Sequence, residues 1–491
     1  MDILIKILQL ILSLSILVIV HEFGHFFFAR LFKMRVDKFY LFANPYISIV
    51  RFKKINGKLR AKWFSRNDKN IRNKLDEQGV QILDRKGRPE IELVPLAELP
   101  DNNWHKYPET TEWGIGWLPI GGYCKISGMI DESMDVAQMK QAAQPWEFRS
   151  KPAWQRLLVM IGGVLFNVIL AILIYWGMLF TWGESYLANR DVKNGVGCSP
   201  LAHEIGFRNG DKIMSLDGDT VENFGDIQIK IIRDRIKNVV VERNGEKATV
   251  QIADTCISAI LKDREFLNPR MKSVISLVQE ESMAKKYGIR VNDRIIAVNS
   301  QSTEYYDELA SSLSKNKSTT VDVKVIRSGD TLIIPVEVSE FGQIGIGISD
   351  SSLKPTYVSY GFFEALPAGI SKGINGIKDY VKDLGLIFSP KTKAYESVGS
   401  FIAIGNIFPS LWIWEKFWKL TALLSIMLAV INILPIPALD GGHAVFAIYE
   451  IIFRRKPSDR FLERAQMVGL LIILGLMLFA LSNDIVNFVI K

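Results

Sequence analysis

Four long apolar runs decide what this 491-residue chain can become. They cover roughly residues 3–32, 157–182, 417–434 and 468–489. Each comes close to, or exceeds, the roughly 20 apolar residues that a helix needs to cross a bilayer. Backbone N–H and C=O groups find no water partner in hydrocarbon, so runs of this kind are expected to be helices. In the first, Lys6 precedes the apolar stretch 7–20, as in a secretory signal. No small-residue cleavage site follows; His21, Glu22 and more apolar residues, 26–29, come instead. A retained span is expected. Hydrophobic residues make up 48% and charged residues 23%, a mixture that suits spans joined to soluble domains.

Lys and Arg orient the spans. Lys33, Arg35, Lys38, Arg51, Lys53, Lys54, Lys58, Arg60 and Lys62 follow the first run, and Arg149, Lys151 and Arg156 stand before or at the start of the second. Arg454, Arg455, Lys456 and Arg460 lie between the last two. By the positive-inside rule both connections are cytoplasmic. Four crossings then put both termini and residues 183–416 on the opposite side. The net charge of +8 is modest, and the basic residues follow this topology instead of gathering on one module, so no nucleic-acid partner is expected.

The long segment between the second and third runs repeats itself. Residues 202–213 recur as 284–295, matching Gly206 with Gly288, Arg208 with Arg290 and Asp211 with Asp293. Each copy leads to a hairpin candidate, 239–241 with 248–252 around Asn244-Gly245, then 321–326 with 332–338 around Ser328-Gly329. Two copies of one small α/β module are expected, over 190–268 and 270–345. Beyond them, Phe363, Leu366, Ile370, Ile374, Ile377, Val381, Leu384 and Phe388 step by three or four, as on one helix face. This amphipathic segment, within 355–410, suits either a membrane surface or a soluble domain. Pro367 is expected to break it. Of the three cysteines, Cys124, Cys198 and Cys256, none forms a C-x-x-C pair, so a cysteine zinc site is not expected. Whether two of them join in a disulfide is left open.

His21-Glu22-Phe23-Gly24-His25 is an H-E-x-x-H motif inside the first span. Helical residues four apart share a face, so both imidazoles can hold one zinc ion while Glu22 reaches a water there. Zinc lowers the pKa of such a water to about 7 and polarises a carbonyl. Glu22 then has general base and general acid work to do. Ionisable groups inside a span are costly, and a divalent ion compensates them. The bland alternative is a buried polar pair that locks helices together. A catalytic zinc commonly takes three protein ligands, so a third is needed. The stretch from Asn432 through Pro435 and Pro437 to Asp440, Gly441 and His443 directly follows the third run. Its prolines interrupt the helix and free backbone groups beside a polar site. Asp440 is the preferred third ligand; His443, further along, is the rival.

Together the two motifs resemble the site-2 protease family of intramembrane metalloproteases, in its bacterial regulator-of-sigma-E protease group. The family pairs H-E-x-x-H with N-x-x-P-x-P-x-L-D-G, and here His21, Glu22 and His25 are followed by Asn432, Pro435, Pro437, Leu439, Asp440 and Gly441. The resemblance implies one catalytic Zn2+ on His21, His25 and Asp440, with Glu22 as acid/base and Asn432 holding substrate backbone near the scissile bond. It implies that the repeats are tandem PDZ domains. Residues 117–125, with Gly121, Gly122 and Tyr123, resemble the family's membrane-associated β-loop, about 113–129, which receives substrate as an added strand. Strand pairing exposes a carbonyl that a helix keeps bonded. Gly163 and Asn167 resemble a family glycine-asparagine pattern, although Val164 stands where proline is often found. Residues 399–406 resemble a glycine-containing stretch before the third span. Residues 56–111 depart from the family as a polar, charged insertion without an assigned role.

The expected fold is therefore a polytopic α-helical membrane protein with four transmembrane helices, tandem α/β PDZ domains and a membrane-associated β-loop. Its parts are a first span with the zinc motif (1–32), a cytoplasmic segment (33–153), a second span (154–182), the two modules, a third span with the third ligand (411–440) and a fourth span (464–489). The expected activity is intramembrane zinc endoproteolysis of single-span membrane proteins, either anti-sigma factors in a stress response or remnant signal peptides. The expected place is the cell inner membrane, with the site near its cytoplasmic side and the modules in the periplasm. The rival is a catalytically silent PDZ scaffold, which has no need of His21, Glu22, His25 or Asp440. A metal transporter would need ionisable residues along a path, and here they form one cluster.

Overall fold

The computed structural model describes residues 2–67, 71–74, 81–82, 89, 91–119, 121–129, 142–349 and 353–486. Parts of the expected insertion, Ile120 of the expected β-loop and residues 487–489 of the expected fourth span lie outside the described residues. The chain forms two compact units: Met1–Trp182 with Gly361–Val381 and Val398–Lys491, and Gly183–Tyr360 with Lys382–Ser397.

Among the described residues the first unit is built on the long helices α1 (Asp2–Leu31), α2 (Ala153–Trp182), most of α3 (Phe362–Ile387), α4 (Trp414–Asn432), α5 (Asp440–Phe453) and α6 (Asp459–Ile485). Among the described residues three helices are long and apolar enough to cross a membrane: α1, α2 and the Arg460–Ile485 stretch of α6. Their outward side chains, such as Ile3, Phe180 and Leu478, are exposed. A soluble protein does not spread so many bare apolar residues along three helices; this is a membrane protein. Where the third of the four spans was expected, α4 begins with Glu415, Lys416 and Lys419, which shorten its apolar part.

Small residues let the helix backbones meet. A Cβ on Gly162 would lie 2.7 Å from the Gly24 carbonyl oxygen, so α1 and α2 cross where neither has a side chain. The same device holds α3 on α2: Cβ atoms on Gly369 and Gly373 would lie 2.8 Å from Trp176 N and 2.7 Å from Ile172 Cγ1. This corrects the expected break at Pro367, which lies inside an uninterrupted helix. A proline removes one N–H and crowds one carbonyl. Close packing of the two following glycines on α2 outweighs that local cost, and the Trp176 indole donates to the Phe362 carbonyl at 2.9 Å.

Between α1 and α2 lies a five-stranded sheet of β1 (Val36–Leu41), β2 (Ala43–Ile55), β3 (Lys58–Arg66), β4 (Glu112–Leu118) and β5 (Tyr123–Ile126), in the order β3-β2-β4-β1-β5. Only β1 and β4 run parallel. Asn56 and Gly57, both at positive φ, make the tight turn from β2 to β3. The residues expected as a β-loop thus form two strands of a larger sheet, and the start of the expected insertion supplies a third. Val36 and Ile126 from the sheet pack with Ala29, Val159 and Met160 from the helices.

The second unit contains the repeat in space. Each copy carries a short helix (Pro200–Ile205, Met283–Lys286), a strand (Lys212–Leu216, Arg294–Val298), a longer helix (Asp226–Arg233, Tyr306–Lys315) and a hairpin (Asn238–Arg243 with Glu246–Gln251, Thr320–Arg327 with Asp330–Glu337). Both hairpin turns have two positive φ angles, at Asn244-Gly245 and Ser328-Gly329. Each copy has its own apolar core, one around Phe207, Ile231 and Val239, the other around Ile295, Leu309 and Val323. Opening and closing strands pair in each: Val196–Cys198 with Leu267–Pro269, and Ile275–Val278 with Ile346–Ile348. The second copy therefore continues past the expected boundary at 345. Strands Glu184–Tyr186 and Thr356–Val358 pair where the chain enters and leaves. No disulfide joins Cys124, Cys198 and Cys256.

Candidate metal centre

Helical periodicity puts His21 and His25 one above the other on the buried face of α1. Asp440 reaches them from the start of α5. The helix α4 stops at Asn432, two prolines prevent it from resuming, and the chain turns so tightly that Cβ atoms on Gly441 and Gly442 would run into the carbonyls of Ile433, Leu434 and Ile436. Only glycine fits there. An ion pair from Arg156 Nη2 at the start of α2 to Glu450 Oε1, at 2.5 Å, holds α5 in place.

The three donor atoms form a small triangle. His21 Nε2 is 3.1 Å from Asp440 Oδ2, His25 Nε2 is 3.4 Å from it, and the two nitrogens are 3.3 Å apart. A tetrahedral ion with bonds of about 2.0–2.1 Å spaces its ligand atoms by about 3.3 Å. His21, His25 and Asp440 are the one group of this kind among the described residues. His443 lies three residues further along, with its ring facing Phe446.

The surroundings prepare these atoms for a cation. His25 Nδ1 donates to the Val159 carbonyl at 2.8 Å, which leaves a bare lone pair on Nε2. His21 Nδ1 is 3.1 Å from the Asn167 amide, whose Oδ1 is buried and has no other partner among the described residues. With the amide turned so that Oδ1 faces the ring, His21 donates to it and its Nε2 lone pair is also free. Asp440 Oδ2 is buried and has no hydrogen-bond donor among the described residues. Three convergent lone pairs repel one another unless a cation joins them, so the donor set fits zinc. Gly163 completes the cradle: a Cβ there would lie 2.6 Å from both His21 Cε1 and His25 Nε2.

The other expected site residues gather around this triangle. Asn432 Nδ2 is 3.3 Å from His21 Nε2. The Glu22 carboxylate accepts the Cys124 N–H of β5 and lies within electrostatic reach of both histidines and Asp440. Gly121 has φ +67°, and a Cβ on Gly122 would lie 2.6 Å from both Val18 Cγ1 and the Tyr40 carbonyl. Glycine therefore lets the start of β5 lie against α1. Tyr123 stacks on Tyr40, with ring centroids 5.2 Å apart and 1° between planes. Sequence reasoning missed the Val159 carbonyl and the Cys124 N–H, because backbone groups carry no residue signature.

An H-E-x-x-H pair on a membrane helix, closed by an aspartate from another helix, defines a membrane metalloprotease. The model of peptidase family M50 matches residues 9–58 and 101–476. The chain belongs to this family, that of the site-2 proteases. It is 24% identical to the regulator of sigma E protease of Haemophilus influenzae, over 96% of this chain and 97% of that protein. It is 26% identical to the metalloprotease MmpA of Caulobacter vibrioides, over 98% and 96%. A Rickettsia conorii protein with a zinc metalloprotease name is 26% identical over 98% and 99%. The family match leaves out residues 59–100, which fall within the expected insertion.

Proposed function

We propose that this metalloprotease cuts the membrane-spanning segments of single-span membrane proteins, using one catalytic zinc held by His21, His25 and Asp440. The observation that carries the reading is the meeting of that triangle with Glu22 and the edge strand β5 on a membrane helix. Zinc bound there supplies Lewis acidity toward a carbonyl and a water. Glu22 takes the proton of the attacking water and passes it to the leaving amine nitrogen. The Cys124 N–H holds its carboxylate in place for both steps. The Val159 carbonyl and Asn167 fix the two imidazole rings. Asn432 stands beside the site to hold substrate backbone. Among the described residues β5 is the last strand of the sheet order, and a substrate segment unwound onto it offers its carbonyl next to Glu22.

In this reading α4 is a further span, giving four, and the repeated modules of the second unit are tandem PDZ domains. The site then lies near the cytoplasmic face and the modules in the periplasm of a cell with an inner membrane, a reading supported by the Lys and Arg around the connections. The modules restrict access by size or read a newly made carboxyl terminus. The substrates are anti-sigma factors in a stress response, or remnant signal peptides; the name of the Haemophilus relative favours the first. The test is incubation of purified protein in detergent with a tagged single-span anti-sigma fragment, comparing wild type, Glu22→Gln and added zinc chelator. Cleavage by untreated wild type alone is expected. Equal cleavage in all three would overturn the reading.

A further inference from the structure

The insertion that the family match leaves out ends beside a buried polar chain leading to β5. Trp104, only 5% exposed, lies four residues past the unmatched stretch 59–100, where the family match has resumed. Its indole Nε1 donates to Glu112 Oε2 at 2.5 Å. Glu112 opens β4, and its other oxygen accepts from the Tyr40 hydroxyl of β1 at 2.6 Å. Tyr40 is fully buried. It lies opposite Gly114, where a side chain would overlap its ring, and opposite Tyr123 of β5, on which it stacks. The next residue, Cys124, donates its N–H to Glu22.

The surroundings keep this chain charged and rigid. Burial pushes the Glu112 carboxyl up, but Lys38 at 4.0 Å and the bonds from Tyr40 and Trp104 outweigh it and hold it below the usual carboxylate range. Burial, and then Glu112 itself, push the Tyr40 hydroxyl up, so it stays a donor. Arg51 of β2 and Lys62 of β3 each place their charge 5.1 Å from the centroid of the Trp104 ring, which fixes the indole from the insertion side. The Tyr123 hydroxyl donates to Asn44 Oδ1 at 2.9 Å, tying the far end of the stack to β2.

We infer that Trp104, Glu112 and Tyr40 are positioning residues that set the register of β5 against Glu22, and so choose which bond of the substrate is cut. This rests on the protease reading above, in which β5 receives the substrate strand. A substrate on a loosely held edge strand slips by two residues, since that step keeps each side chain on its own face. The unmatched stretch contributes Lys62, which packs on the Trp104 ring at the end of the chain remote from the metal.

Two conservative substitutions test this in the full-length protein. Trp104→Phe keeps the ring and loses the N–H; Tyr40→Phe keeps the stack and loses the O–H. Each leaves a buried Glu112 oxygen short of a donor, which disturbs binding at the strand by about tenfold. The readouts are KM, kcat and, by mass spectrometry, the ends of the products from a single-span substrate. Expected are an about tenfold rise in KM with kcat little changed, a second cut two residues from the first, and a double variant less than additive. Zinc content should equal that of wild type. If wild type cuts and both variants cut the same single bond with unchanged KM, the inference is overturned and the protease reading stands. A lower kcat with an unmoved cleavage site and a lower Tm assigns the residues to stability alone and also overturns it. A wild type that binds zinc and cuts no single-span substrate overturns the protease reading itself.

Discussion

At the residue scale, the metal site depends as much on missing atoms as on ligands. Gly163 has no side chain because the imidazoles of His21 and His25 occupy that space. Gly163→Ala should therefore lower zinc content well below one ion per chain, as measured by elemental analysis, while the secondary structure by circular dichroism stays that of wild type. Asn167 acts at one remove, by orienting His21. Asn167→Ala should weaken zinc binding by about 10–100-fold in a chelator competition, with Asn167→Asp retaining most of it because an acceptor remains. The meeting of His21, His25 and Asp440 could be read from the sequence, because helical spacing and proline-glycine punctuation leave visible patterns. Gly163 and Asn167 gave only a weak pattern, since a space and an orienting amide need the neighbouring helix before they mean anything.

At the element scale, the repeat extends beyond the aligned segment. In the first copy, Asp211 accepts from Arg243 and from the Arg208 N–H, while Arg243 donates to the Gly206 carbonyl. In the second, Asp293, Arg327, Arg290 and Gly288 form the same arrangement. Gly206 and Gly288, Arg208 and Arg290, Asp211 and Asp293 were visible as a repeat; Arg243 and Arg327 were not, because they lie in the hairpins about thirty residues on. Burial pushes the Asp293 carboxyl up, but the bonds from Arg327 and the Arg290 N–H hold it below the usual range. Its contribution to stability is thus present above the unfolded value of about 3.9 and is lost as pH falls through the folded value. Arg327→Ala leaves a buried carboxylate unpaired and should destabilise the second unit by roughly 3 kcal/mol at neutral pH, with a smaller loss at pH 3, in denaturant unfolding. Asn56-Gly57 carries the same turn cue as Asn244-Gly245, yet its strands β2 and β3 were not foreseen. Their high charge hides the alternation, and β3 has no buried residue to mark an apolar face.

At the scale of the whole molecule, the apolar runs and the repeat made the division into a helical unit and a two-module unit legible. The uninterrupted helix through Pro367 was not, because its cost is outweighed by glycine contacts with α2 that no local pattern contains. Gly369→Leu should separate α3 from α2 and lower the Tm of the detergent-solubilised protein, while the metal triangle, built on other helices, keeps its zinc. The larger claim is that these helices carry the chemistry to a peptide bond inside the bilayer. The most direct measurement is the mass of both products when full-length protein in proteoliposomes meets a single-span substrate, with Glu22→Gln as control. A cut within the apolar span is expected, slowed at least about 100-fold by Glu22→Gln. Cuts confined to the polar flanks, or the same products at the same rate from Glu22→Gln, would contradict it.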